Sequence, residues 1–126
     1  MRTIKFRGKA VFNGTTGSDR WIESGVFFKQ PNERWMIHGV QVQPETVGQY
    51  TGLNDKNGKE IYEGDIIRLG YNFEKQFIAY VKWSRDHYEL CKNKVELFNM
   101  SGPSTDAMCV IGNIYDNPEK LSEPIE

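Results

Sequence analysis

Gln49-Tyr50-Thr51-Gly52-Leu53-Asn54-Asp55-Lys56-Asn57-Gly58-Lys59-Glu60-Ile61-Tyr62-Glu63-Gly64-Asp65-Ile66-Ile67-Arg68-Leu69 is the stretch with the densest local grammar in the chain. Asn57-Gly58 is a pair that accepts positive φ at both positions, so it predicts a type I′ turn closing a two-residue hairpin. Glu63-Gly64-Asp65 is a second break, where Asp65 can bond local backbone N–H groups. Ile66-Ile67-Arg68-Leu69 then reads as a strand. Strand, turn, strand, turn, strand in so short a span points to a β-protein.

The remainder agrees. Residues 1–12 alternate, with Ile4, Phe6, Gly8 and Ala10 on one face and Thr3, Lys5, Arg7 and Lys9 on the other, as in a half-buried strand. Asn13 to Ser18 is a loop cluster, and Trp21 to Phe28 is strand-like with Gly25 as a bulge. Trp35 to His38 and Val40 to Gln43 are further short strands. Gln76 to Ser84 alternates most clearly, with Phe77, Ala79, Val81 and Trp83 expected on the buried face and Lys82 at the surface. His87 to Cys91 forms a hairpin with it, and Val95 to Phe98 continues the pairing. Ser101 to Ser104 is a loop before a last strand, Ala107 to Ile111. Ile111 and Ile114 are expected to be buried. Asn117-Pro118 opens one helical turn, with Pro118 in the first position.

No window keeps a 3.6-residue period for three turns. The expectation is an all-β fold of short antiparallel strands and hairpins, partly an SH3-like barrel, with at most one short C-terminal helical turn. A length of 126 residues suits a single compact unit, with possible halves 1–50 and 51–126 sharing a core.

Tyr50-Thr51-Gly52-Leu53, Asp55 to Ile61 and Glu63-Gly64-Asp65-Ile66 resemble the core signature of the YopX family, small proteins encoded in phages and prophages. Ile111-Gly112-Asn113-Ile114-Tyr115-Asp116-Asn117-Pro118-Glu119 is similar to a second family segment, and Ile4-Lys5-Phe6-Arg7 to its usual start. The resemblance implies a phage setting, a bacterial host cytoplasm and a β-rich fold. It implies no catalytic residues, because the family has no established activity.

Hydrophobic residues make up 38% of the chain and aromatics 13%, so Trp, Tyr and Phe must supply much of the core. Trp21 and Trp83 are expected there. The formal net charge of −1 does not advertise a polyanionic partner. No 18-residue apolar run is present, so no membrane span is expected. The two cysteines, Cys91 and Cys109, form no Cys-x-x-Cys pair and fit free thiols in a reducing compartment.

Lys5, Arg7 and Lys9 form the strongest electrostatic feature. They can contact phosphates or an acidic partner, or simply make a solvated strand face that discourages edge pairing. Tyr50 and Tyr62 are candidate stacking residues beside them. Asn57, Gly58, Gly64 and Asp65 are assigned to turns. Glu60, Glu63 and Asp65 could serve a metal-dependent hydrolase only if they converge. His38, His87, Cys91 and Cys109 would need to meet to hold a metal, and neither a metal nor a cofactor is expected. The chain thus reads as an accessory protein, without enzymatic activity, that binds a host or phage protein. A nucleic-acid-binding β-module is the alternative and a hydrolase the last. The strand Val40 to Gln43 has no charge to protect its edge, so a homo-oligomer through strand pairing or an aromatic patch is expected as well.

Overall fold

A computed structural model describes residues 4–11, 20–70, 76–84, 87–92, 95–99 and 107–122. The loops Asn13 to Ser18 and Ser101 to Ser104, the link Arg85-Asp86 and the burial of Phe77 lie outside the described residues. The fold is all-β and antiparallel, with only short 3-10 turns and one sheet forming a half-barrel. The chain divides into two compact units, Met1–Tyr50 and Thr51–Glu126.

In the first unit, β1 (Phe6–Lys9) pairs on one side with β2 (Trp21–Ser24). On its other side it pairs with the start of β6 (Gly48–Asn54), through Phe6↔Gln49 and Arg7↔Gly48. β3 (Phe27–Lys29), β4 (Trp35–Ile37) and β5 (Val40–Val42) make a three-stranded sheet in that order. Their core is Ala10, Ile22, Ile37 and Val42, with Phe6, Phe27, Trp35, Val40 and Val47 packed against it. Gly8 lies over this core because a Cβ there would stand 3.0 Å from the Val42 Cβ. Trp21 to Phe28 was expected to be one bulged strand. It is two strands in different sheets, separated at Gly25, where a Cβ would come 3.1 Å from the Ile4 carbonyl oxygen.

The edge expectations change too. β1 lies between two strands, so its cations guard no edge. The outer side of β5 is occupied by the chain after β1: Ala10 bridges Val42, the Val11 N–H donates to the Gln41 carbonyl, and the Gln43 N–H donates to the Lys9 carbonyl. That strand needs no charge because its groups are already satisfied.

In the second unit, β7 (Glu60–Tyr62) neighbours β6. β8 (Asp65–Gly70), β9 (Gln76–Ser84), β10 (His87–Lys92), β11 (Val95–Asn99) and β12 (Met108–Asn113) form a five-stranded sheet. Its order is β11-β10-β9-β8-β12. Ile61, Ile67, Leu69, Ala79, Val81, Tyr88, Leu90 and Met108 make the core of this unit.

Ala79 and Val81 are buried as expected, but Trp83 is 43% exposed. It sits at the hairpin end of β9, where its ring meets Tyr88 edge-on at 4.7 Å instead of entering the core. Trp21 is half-buried. Ile111 and Ile114 are only half-buried. Ile111 falls in the register shift between Val110 and Gly112, and a bulged residue loses its place on the inward face. Pro118–Ser122 is the expected helical turn, of 3-10 type.

Candidate functional site

The signature stretch folds into a network of backbone hydrogen bonds. Asp55 is buried, and its Oδ1 accepts the N–H groups of Asn57 and Lys59, both at 2.9 Å. Its Oδ2 reaches across to accept the Val110 N–H of β12, also at 2.9 Å. Burial works against ionisation of this carboxyl, but those three N–H donors and the nearby Lys59 ammonium outweigh it and hold its pKa below the ordinary aspartate value. The Lys56 N–H adds a bond to the Met108 carbonyl.

The turn itself differs from expectation. Gly58 has φ +83°, but among the described residues Asn57 does not join it in the left-handed region. The Gly58 N–H returns to the Asp55 carbonyl and the Asp55 N–H to the Lys59 carbonyl. This is a longer loop with one left-handed residue, imposed because the Asp55 side chain claims the N–H groups of Asn57 and Lys59. The two-residue turn with positive φ at both positions occurs at His38-Gly39, φ 51° and 76°, between β4 and β5.

The second break is equally committed. Asp65 is buried, and its Oδ2 accepts the Tyr62 N–H at 2.8 Å. Gly64, at φ +93°, donates its N–H to the Val81 carbonyl and accepts from the Ile114 N–H. A Cβ on Gly64 would stand 3.0 Å from the Tyr115 ring. The Asn113 side chain accepts the N–H groups of Tyr115 and Asp116 and so closes the C-terminal loop beside Gly64. Tyr62 is buried, and its hydroxyl donates to Glu60 Oε1 at 3.0 Å. Among the described residues, no group of three or more His, Cys, Asp or Glu side chains could hold a metal ion. His38 is an exposed turn residue, Cys91 is buried in β10, and both cysteines are free thiols.

The basic stripe is not an open cationic face. Arg7 is buried, and its guanidinium lies over the Trp21 ring, 4.8 Å from the centroid. Lys9 approaches the same ring at 5.9 Å, and Lys5 approaches the Tyr50 ring at 5.9 Å. Tyr50 is itself buried. Trp21 and Tyr50 are thus engaged by these cations.

What stands open in the first unit is a face that the sequence reading did not single out. Among the described residues of this unit three large hydrophobics are exposed, Ile4 at 61%, Val26 at 57% and Phe28 at 45%. The register pairs Phe28 with Met36 and Met36 with Gln41, so these three share the outward face of the β3-β4-β5 sheet. Phe27, Trp35, Ile37, Val40 and Val42 share the inward one. The adjacent pair Phe27-Phe28 was the available signal: on a strand, two consecutive aromatics must point to opposite sides.

No helix among the described residues is long and apolar enough to cross a membrane. A family model described as YopX protein matches residues 11–122. The structure is similar to the crystal structure of protein EF1440 from Enterococcus faecalis, with 23% sequence identity and a TM-score of 0.53. The alignment covers 96% of this chain and 99% of that one. No curated protein matches the chain.

Proposed function

Because the chain belongs to the YopX family, we propose that it is a phage or prophage accessory protein without enzymatic activity, acting by binding a protein of the bacterial host or of the phage. The observation that carries this reading is the outward face of β3-β4-β5, where Val26 and Phe28 leave large apolar side chains exposed beside Met36. Exposed apolar groups clustered on one face favour contact with another protein surface. Of the carboxylates a hydrolase would draw on, Asp65 is committed to the Tyr62 N–H and Glu60 to the Tyr62 hydroxyl.

The nucleic-acid alternative draws less support. A phosphate-binding strand presents its cations to solvent, whereas Arg7 is buried on Trp21. The expected result is no salt-dependent binding of random duplex or single-stranded DNA at physiological ionic strength. Micromolar binding lost on replacing Lys5, Arg7 and Lys9 by Gln would reverse the preference. The protein-binding reading is tested by affinity purification of the tagged chain from phage-infected cells with nuclease treatment, comparing wild type with Phe28→Lys. A partner retained by wild type and lost by the folded variant supports the reading. Equal recovery with both, or recovery that depends on nucleic acid, contradicts it.

A further inference from the structure

The backbone of β3 has one satisfied side and one open side. The Val26 carbonyl accepts the His38 N–H, and the Gln30 N–H donates to the Arg34 carbonyl, both at 2.8 Å. With Phe28 opposite Met36 in the register, the hydrogen-bonded positions along this strand are 26, 28 and 30. The N–H and C=O groups of Phe27 and Lys29 therefore point away from β4. Among the described residues nothing pairs with that side, since β3 ends the sheet order β3-β4-β5. The edge lacks the usual protection: its exposed residues Val26 and Phe28 are apolar, and its one charge, Lys29, stands at its end. β2, the other edge strand of this unit, carries exposed Glu23 at an interior position.

We propose that β3 pairs with β3 of a second copy of this chain, antiparallel about a two-fold axis through Phe28, joining two three-stranded sheets into one of six strands. The register follows from chemistry. Centring the axis on Phe28 sets Phe27 against the partner's Lys29, and each such pair exchanges two backbone hydrogen bonds, four in all. Centring it on Lys29 would oppose two cations, which is destabilising in a cross-strand pair. Centring it on Phe27 would direct the new contacts to a ring already packed against Phe6 at 4.9 Å and Trp35 at 5.6 Å. The chosen register also keeps the two Lys29 ammonium groups from standing directly opposite each other. The two Phe28 side chains face each other as a close pair without intervening backbone bonds, the arrangement that brings aromatic side chains nearest. The area covered is small, so the dimer belongs to the weak class of interfaces. The pairing deepens the binding reading, because it makes the apolar faces of two copies continuous.

The test is sedimentation equilibrium of the purified chain from about 10 µM to 1 mM, the range a small interface demands. The expected weight-average mass rises from 14.6 kDa towards twice that value. Lys29→Pro removes an outward N–H without breaking the β3–β4 ladder, and should stay monomeric throughout. Lys29→Gln keeps the N–H and should associate as wild type does. If Lys29→Pro fails to fold, Phe28→Lys decides, with a monomer expected. A wild type that remains monomeric to 1 mM overturns the proposal while leaving the binding of a different protein intact. A folded Lys29→Pro or Phe28→Lys variant that associates like wild type overturns it too.

Discussion

Asp55 joins two distant parts of the second unit with one carboxylate. Its folded pKa lies below the ordinary value of 3.8. Its stabilising contribution is therefore full above that value and is lost as pH falls through the lower folded one. An acid titration of stability should show a loss below about pH 4 that is absent in Asp55→Ala. At neutral pH that variant should lose about 3 kcal/mol in urea unfolding, because three N–H groups lose a charged acceptor. The glycines grade in a similar way. Gly58 has a positive φ but open space around it, so Gly58→Ala should cost about 1 kcal/mol, the strain of a left-handed alanine. Gly64 adds contact with the Tyr115 ring to the same strain, so Gly64→Ala should cost more in the same unfolding measurement.

At the level of elements, the hairpin β4–β5 holds a misplaced expectation. The type I′ turn was assigned to Asn57-Gly58, the best dipeptide for it, and the protein uses His38-Gly39. Local preference lost to a tertiary demand, since Asp55 must reach Val110 as well as its own loop. Replacing His38 by Asn, which tolerates positive φ better, should raise stability by about 0.5 kcal/mol. Thermal unfolding would register it, and a lower melting temperature would argue against this turn geometry.

The strands themselves were legible because period-2 alternation survives wherever one face is buried. β9 through Val81 and the hairpin with β10 followed from it. Trp83 did not, because alternation gives the face of a residue but not how far the core extends along the strand. The strand pairings were not legible either. Nothing local distinguishes β5, whose edge is filled by Ala10 and Val11, from β3, whose edge is open. The surroundings of the basic stripe were not legible either. Lys5, Arg7 and Lys9 read as a face, but Trp21 and Tyr50 meet them from other strands.

For the whole molecule, the family signature and the open apolar face are different things. Asp55, Gly58, Gly64, Asp65 and Asn113 hold the second unit together through backbone bonds and a tight approach. The open apolar face belongs to the first unit, on β3 and β4. This is the face we propose to meet the partner protein. The most direct test places photoreactive p-benzoylphenylalanine at position 28 in one variant and at exposed position 68 of the second unit in another. Both variants are then irradiated in phage-infected cells. The expected result is a discrete adduct to a different polypeptide from position 28 and none from position 68. Adducts from position 68 with none from position 28 would contradict the account.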